Sequence, residues 1–181
     1  VAVVTGEADV GVAFSKLPFD HLLFTGATSI GRHVMRAAAD NLTPVTLELG
    51  GKSPAIISAD VPLIDAAERI AFGKGVNAGQ TCVAPDYILC PRNRVEEFTQ
   101  ALFRQFAQMY PSLRDNADFT QIINPRQYQR LQGYLSDAAE KGARILPVNP
   151  ANEELGDTRI IAPTLLLDVS DDMKVMQDEI F

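Results

Sequence analysis

Residues 21–31 read H-L-L-F-T-G-A-T-S-I-G, and this stretch decides the fold class. Its first five residues form an apolar run that predicts a β-strand, and Gly26 ends that run. Over Ser29–Asn41 the apolar residues recur at helical spacing, with Thr28 or Ser29 as the expected N-cap. A strand that passes through a glycine turn into a helix is typical of a parallel α/β layer.

The rest of the chain continues this alternation of strands and helices, which predicts an α/β protein with parallel strands. Gly142 is expected at the C′ position after the last long helix, because glycine adopts the left-handed conformation that ends many helices. The apolar runs Tyr87–Cys90 and Leu165–Val169 are expected to belong to one further layer of strands. The remaining predicted strands are Val1–Thr5, Val45–Leu49 and Ala55–Ser58, and the predicted helices are Asp9–Lys16, Pro62 to about Val76, Val95–Met109 and Arg126–Lys141.

The composition is that of an ordinary globular protein and argues against several classes of function. Of the 181 residues, 46% are hydrophobic and 22% are charged. The 16 Lys and Arg are outnumbered by 23 Asp and Glu and form no basic block, which argues against a nucleic-acid partner. No apolar run approaches the roughly 20 residues of a membrane span. Two cysteines and two histidines are too few for a disulfide framework or a metal site, so we expect a reduced, cytoplasmic protein.

The glycine turn at Gly26 and Gly31 is the first candidate site. A helix N-terminus offers unpaired N–H groups and a partial positive charge, and glycines let a phosphate come close. The spacing is G-x-x-x-x-G rather than the dinucleotide-binding G-x-G-x-x-G, and the turn lacks the P-loop lysine. The same residues would also form a plain helix cap, so the turn alone does not decide between the two.

Glu48 is a second candidate because it is a carboxylate at the end of an apolar strand, followed by Gly50 and Gly51. Burial would raise the pKa of a glutamate there and make it a usable general base. The alternatives are a salt bridge with Lys52 or an exposed charge at the strand end. Two consecutive glycines favour a site at which a flat ligand approaches the backbone.

Cys82 is the candidate nucleophile. It follows a predicted helix and Gly79, where a loop would expose the sulfur near backbone N–H donors. The alternative is that it is a small buried hydrophobic residue, as most isolated cysteines are. Cys90, at the end of an apolar strand, fits that alternative and is assigned no role. Asp178 and Glu179 stand before an apolar pair of residues. Solvated acids before a strand would give the same pattern, so these two residues alone indicate no function.

Taken together, four motifs resemble the NAD(P)-dependent aldehyde dehydrogenase superfamily. The resemblance covers essentially the whole chain, and the second and third motifs are its most specific combination. Details of residues 17–26, 42–54 and 79–90 are similar to the class 3 enzymes and, among them, to bacterial coniferyl aldehyde dehydrogenases. The motifs are F-T-G-A-T-S-I-G (24–31), L-E-L-G-G-K-S-P (47–54), N-A-G-Q-T-C (77–82) and D-E-I-F (178–181).

The resemblance implies a reaction and roles for individual residues. Cys82 would attack the aldehyde, aided by its own backbone N–H as an oxyanion donor, and Glu48 would activate the hydrolytic water. The product would be a carboxylic acid, the cofactor NAD or NADP, and the substrate an aromatic aldehyde such as coniferyl aldehyde. No metal is implied. The residues expected to contact the cofactor are Thr25, Gly26, Gly31, Leu49 and, at the nicotinamide ribose, Glu179.

The resemblance also implies an aldehyde dehydrogenase-like α/β fold with two domains. Residues 1–50 would be the C-terminal part of the NAD(P)-binding domain, the end of its open parallel sheet. Residues 51–181 would be the N-terminal part of an α/β catalytic domain. Because the chain lacks an initiator Met and both ends lie in apolar patterns, we expect an interior fragment, inactive when isolated, of a homo-oligomeric parent protein.

Two other functions are open at this point. A thiol hydrolase would use Cys82 with His21 or His33 and would need no nicotinamide, so dependence on NAD discriminates it. A truncated, non-catalytic relative would keep the motifs without turnover, and its native polypeptide would end near Phe181.

Overall fold

The computed structural model describes all residues, Val1–Phe181, and divides into two compact units, Val1–Gly50 and Gly51–Phe181. The first unit combines helices with one two-stranded sheet, and the second combines helices with two. None of the helices has both the length and the apolar character needed to cross a bilayer.

The first unit is built on a parallel pair of strands. Its elements are α1 (Ala8–Phe14), β1 (Leu22–Gly26), α2 (Thr28–Ala39) and β2 (Val45–Leu49). β1 pairs with β2 in parallel, from Leu22 opposite Val45 to Gly26 opposite Leu49. The predicted strand–turn–helix unit and its parallel pairing are therefore confirmed. The buried face of α2 consists of Gly31, Val34 and Ala38.

Two predictions for the first unit are wrong. Val1–Thr5 is an exposed segment outside any strand, because an apolar run becomes a strand only where a neighbour supplies ladder hydrogen bonds, and none pairs with it here. The N-cap of α2 is Ala27 rather than Thr28 or Ser29, and no side chain caps the helix. The first-turn N–H groups are thereby left without a side-chain acceptor.

The second unit contains three long helices, one single-turn helix and two small sheets, packed around a main and a smaller apolar cluster. Its elements are β3 (Pro54–Ile56), α3 (Leu63–Gly75), β4 (Tyr87–Leu89), α4 (Val95–Met109), α5 (Pro125–Glu140), β5 (Arg144–Pro147), β6 (Thr164–Leu167) and the single-turn α6 (Lys174–Gln177), with 3₁₀ turns at Val76–Gly79 and Arg92–Arg94.

The core of the second unit lies between α3 and α4. Ala67 and Ala71 of α3 are fully buried, and these small residues let the helix approach Phe98, Leu102 and Phe106 of α4. A smaller cluster joins Ala138 of α5 to Met173 and Val175 at α6.

The strand pairing of the second unit corrects one prediction and supplies one missed strand. β4 pairs in parallel with β3, whereas β6 pairs antiparallel with β5, so the runs at 87–90 and 165–169 do not share a layer. β5 was not predicted. The prediction for Gly142 is confirmed, since it follows the C-cap Lys141 with φ +95°.

Candidate active site

Four of the predicted site residues meet at one edge of the first unit. In the β1–β2 ladder, Thr25 lies opposite Glu48 and Gly26 lies opposite Leu49. These are the last residues of both strands, so they line the carboxyl edge of the parallel pair. That edge is where ligands bind in open α/β sheets.

The turn after β1 has the geometry of an anion site. Gly26 has φ +156°, and a Cβ there would lie 2.7 Å from the Phe24 ring. At Gly31, the next glycine of the motif, a Cβ would lie 2.8 Å from the Leu49 side chain, so α2 approaches β2 closely only because this position is glycine. The backbone N–H groups of Thr28 and Ser29 make no hydrogen bond within the chain. Two free donors at a helix N-terminus fit a phosphate group.

Glu48 is exposed, which matches the alternative of an exposed charge at the strand end rather than a buried carboxylate. The alternating pattern of β2 half-buries Leu47 and Leu49 and turns Glu48 outward. Glu48 makes no salt bridge, and Lys52, its suggested partner, pairs instead with Asp86 in the second unit. The Glu48 carboxylate is therefore free to act on a water or a thiol.

Cys82 lies in a tight turn after α3 and is exposed. The Ala84 N–H donates to the Thr81 carbonyl at 3.0 Å and closes the turn over Cys82. The preceding residues Asn77, Ala78 and Gly79 all have left-handed backbone angles, φ +52°, +52° and +82°. Asn77 and Ala78 store strain because they are not glycine, and such strain a few residues before the predicted nucleophile is common at functional sites.

Gln80 holds this strained loop in place. Its side-chain amide donates to the carbonyls of Asn77 (3.1 Å) and Gln121 (3.2 Å) and accepts the Ile123 N–H at 2.9 Å. The Cys82 turn is thus anchored to the segment before α5 by one side chain. The residue was not singled out from the sequence, although it stands inside the N-A-G-Q-T-C motif.

Cys90 differs from Cys82 as expected. It is half-buried and packs against the core of the second unit. Burial raises the pKa of the Cys90 thiol above its usual value of 9.0, and the nearby Arg94 opposes this only in part. A neutral, half-buried thiol is a poor nucleophile.

The D-E-I-F segment at 178–181 is held by residues that the sequence analysis did not identify. Arg130 of α5 donates to the carbonyls of Glu179 (3.0 Å) and Ile180 (2.7 Å). Lys52 donates to the carbonyl of Asp178 at 3.0 Å, and Asp86 accepts the Ile180 N–H at 2.9 Å. The half-buried Glu179 makes no side-chain hydrogen bond. No hydrogen bond joins Glu179 to Cys82, the other predicted site residue of this unit.

Lys74 adds a positive charge beneath the Cys82 loop. Its side chain packs against Gly79, where a Cβ would lie 3.0 Å from Lys74 Cε, and it has no salt-bridge partner. Burial lowers the pKa of Lys74, and Asp86 and Glu179 partly oppose that effect. A cavity of about 850 Å³ beside it is lined mainly by apolar side chains such as Phe98 and Leu102, and Cys82 is not among its lining residues. The cavity is therefore not the centre of the site.

Comparisons with known proteins identify what the chain is similar to. The model of the aldehyde dehydrogenase family matches residues 1–181. The probable coniferyl aldehyde dehydrogenase of Pseudomonas aeruginosa is 68% identical over 181 residues, covering 100% of this chain and 37% of that protein. The coniferyl aldehyde dehydrogenase of Pseudomonas sp. strain HR199 is 55% identical over 183 residues, covering 100% of this chain and 38% of that protein. The chain thus spans a little over one third of the length of these relatives.

Solved structures confirm the fold class. The substrate-bound AldH of Staphylococcus aureus superposes with a TM-score of 0.88 at 39% identity, covering 98% of this chain and 38% of that one. The Mycobacterium tuberculosis aldehyde dehydrogenase complexed with NAD⁺ has a TM-score of 0.84 at 36% identity, covering 97% of this chain and 37% of that one.

Proposed function

Because this chain belongs to the aldehyde dehydrogenase family, we propose that the protein carrying it oxidises an aldehyde to a carboxylic acid with NAD⁺ or NADP⁺. The proposed substrate is an aromatic aldehyde of the coniferyl type. The 68% and 55% identity to proteins named for coniferyl aldehyde supports this choice. Relatives that use either cofactor are similar to this chain, so both are retained.

The exposed, unpaired thiol of Cys82 carries the proposal. After the thiol proton is released to water, the thiolate sulfur adds to the carbonyl carbon of the aldehyde, forming a C–S bond and moving the carbonyl electron pair to oxygen. The backbone N–H of Cys82, which makes no hydrogen bond within the chain, is the proposed donor to that oxyanion. The hydrogen bonds of Gln80 hold the strained residues before Cys82 in place, and the sulfur in the following turn is exposed.

The residues of the first unit fit a dinucleotide. Gly26, Gly31 and the free N–H groups of the α2 N-terminus suit its pyrophosphate, and the carboxyl edge with Thr25 and Leu49 suits the adjoining ribose. When bound, NAD(P)⁺ supplies the hydride acceptor by which the Cys82 adduct becomes a thioester.

Glu48 completes the cycle as a general base. Its free carboxylate takes a proton from water, and the hydroxide displaces Cys82 from the thioester and releases the acid. The Glu48→Gln variant of the full protein is expected to slow thioester hydrolysis about 100-fold while the first turnover stays fast. Stopped-flow detection of NAD(P)H would then show a burst followed by a slow steady state. An unchanged steady-state rate would remove Glu48 from this role.

We also propose a domain assignment for this chain, and a localisation, an oligomeric state and partners for the whole protein. Val1–Gly50 belongs to the NAD(P)-binding domain and Gly51–Phe181 to the catalytic domain, which the parallel glycine-turn unit and the Cys82 loop support. The parent protein is a cytoplasmic homo-oligomer that acts on small aldehydes, without nucleic-acid or membrane partners. Two free cysteines and an excess of acidic residues support this setting.

The deciding experiment measures NAD(P)H formation by the full protein with coniferyl aldehyde and with an aliphatic aldehyde. Cys82→Ser and Cys82→Ala should abolish it, whereas Cys90→Ser, the matched control, should retain it. Turnover by both Cys82 variants would refute the nucleophile. Ester hydrolysis without any nicotinamide dependence would favour a thiol hydrolase. His21, one of the two histidines such a hydrolase would have, already hydrogen-bonds Thr46 at 3.0 Å.

A further inference from the structure

We propose that Arg130, Lys52 and Asp86 form a clamp that positions the free carboxylate of Glu179 to bind a ribose diol of the cofactor. The inference rests on the proposed function and adds three positioning residues to it. None of the three needs to touch the cofactor. Their task is to fix the backbone that carries Glu179.

Arg130 donates hydrogen bonds to two adjacent carbonyls of the D-E-I-F segment at 178–181. Its Nη1 donates to the Glu179 carbonyl at 3.0 Å and its Nη2 to the Ile180 carbonyl at 2.7 Å. The guanidinium is itself fixed, because Nε donates to Gln127 Oε1 at 2.6 Å and the group lies 5.1 Å from the centre of the Tyr134 ring. Such a planar fork matches two successive acceptors in a fixed geometry that an ammonium group does not have.

Lys52 and Asp86 hydrogen-bond other backbone groups of the same segment, the Asp178 carbonyl and the Ile180 N–H. The Asp86 carboxylate, whose side chain is 3% exposed, pairs with the Lys52 ammonium through Oδ1 and accepts the Ile180 N–H through Oδ2. Lys52 also donates to the carbonyls of Val175 (2.8 Å) and Asp178 (3.0 Å). All three protons of the ammonium therefore have acceptors, as a shielded ion pair requires.

The two acidic side chains of the segment, Asp178 and Glu179, differ in whether they accept a hydrogen bond. Asp178 is used structurally, since the Tyr134 hydroxyl donates to its Oδ2 at 3.2 Å. The backbone of Glu179 is fixed on both sides, whereas its half-buried carboxylate makes no hydrogen bond or salt bridge and interacts with the Lys74 ammonium only electrostatically. A carboxylate that is held in place and accepts no hydrogen bond from the chain is suited to a ligand with hydroxyl donors.

The test uses the full protein with the substitutions Arg130→Met, Arg130→Lys and Glu179→Gln. Two quantities are measured: the dissociation constant of NADH from its fluorescence, and the release of 4-nitrophenol when Cys82 is acylated by 4-nitrophenyl acetate without cofactor. The matched control is Arg126→Met, an exposed arginine on the same helix that makes no hydrogen bond.

A clamp predicts that R130M weakens NADH binding about tenfold, as expected for loss of hydrogen bonds from a charged group. R130K should be intermediate, and acylation of Cys82 should stay within about twofold of wild type. E179Q should match R130M, and the double variant should be no worse than either, because both act through one carboxylate. R126M should bind like wild type.

Two results would overturn the clamp. Additive effects of R130M and E179Q would mean that Arg130 does not act through Glu179. Equal losses of NADH binding and acylation in both R130M and R130K would mean that Arg130 only stabilises the fold. A wild-type protein that binds no NADH would refute the proposed function itself, whereas wild-type binding that R130M leaves unchanged would refute only the clamp.

Discussion

The Asp86 carboxylate accepts the backbone N–H of Ile180 at 2.9 Å, across 94 residues of sequence, while its other oxygen pairs with Lys52. Asp86→Asn keeps an acceptor but leaves the shielded ammonium of Lys52 without a counter-charge. We expect this change to lower the free energy of unfolding by about 3 kcal/mol, the scale of a broken buried ion pair. Urea unfolding of the full protein measures it.

A control and a double variant make this prediction specific. Asp171→Asn, at an exposed aspartate whose side chain makes no hydrogen bond, should change stability by less than about 0.5 kcal/mol. Removing both charges in K52M/D86L should cost less than the sum of the single changes, because no unpaired ion remains. Additive losses would contradict a coupled pair.

The two cysteines should differ in their reaction with iodoacetamide. Cys82 is exposed, whereas Cys90 is half-buried and burial raises the pKa of its thiol above 9.0. Because the thiolate is the reactive form, alkylation of Cys90 should remain slow near neutrality and accelerate only as the pH passes 9. Peptide mass spectrometry at several pH values measures both rates. Faster labelling of Cys90 than of Cys82 at pH 7 would contradict the assignment of roles.

Local pattern was enough to predict most of the elements. The helices at 95–109 and 126–141 and the parallel strands around 22–26 and 45–49 follow from apolar periodicity and turn residues, which act over a few positions. Strand pairing is a longer-range property. Val1–Thr5 has the composition of a strand but no partner, and β5 was missed because R-I-L-P is short, contains proline and depends on a partner in β6.

Features of the candidate site likewise fall into those that local sequence predicts and those that depend on distant residues. The exposure of Cys82 follows from a turn placed just after a helix, and the edge formed by Thr25 and Glu48 follows from parallel register. The role of Arg130 has no local signal, because its acceptors are main-chain carbonyls 49 and 50 residues further along the chain. Whether Glu48 is buried or exposed stayed open from the sequence, since a strand pattern does not specify which face is covered.

Gly79 should be the least replaceable glycine near the nucleophile. Its φ of +82° disfavours any side chain, and a Cβ would lie 3.0 Å from Lys74 Cε. Gly79→Ala should therefore lower the free energy of unfolding by about 1–2 kcal/mol. Gly133→Ala is the opposite case, an exposed mid-helix position with open space around it, and should raise stability by about 1 kcal/mol. Equal effects from both variants would show that backbone geometry does not decide the outcome.

Asp137 should make the docking of α6 onto α5 sensitive to acid. Its Oδ2 accepts the Lys174 N–H at 2.8 Å, at the start of α6, and its Oδ1 lies 3.0 Å from the Lys141 ammonium. The hydrogen bond from Lys174 first, and then Lys141, lower the pKa of Asp137 below its usual 3.8. A carboxylate with a lowered folded-state pKa adds stability above its unfolded-state pKa, and that stability is lost as the pH falls through the folded-state value. Asp137→Ala should thus unfold at a lower temperature than wild type near pH 7, and the gap should close below pH 3.8. Scanning calorimetry of both proteins over this range tests it, and a gap of constant size down to the lowest pH would mean that the charge of Asp137 does not hold α6.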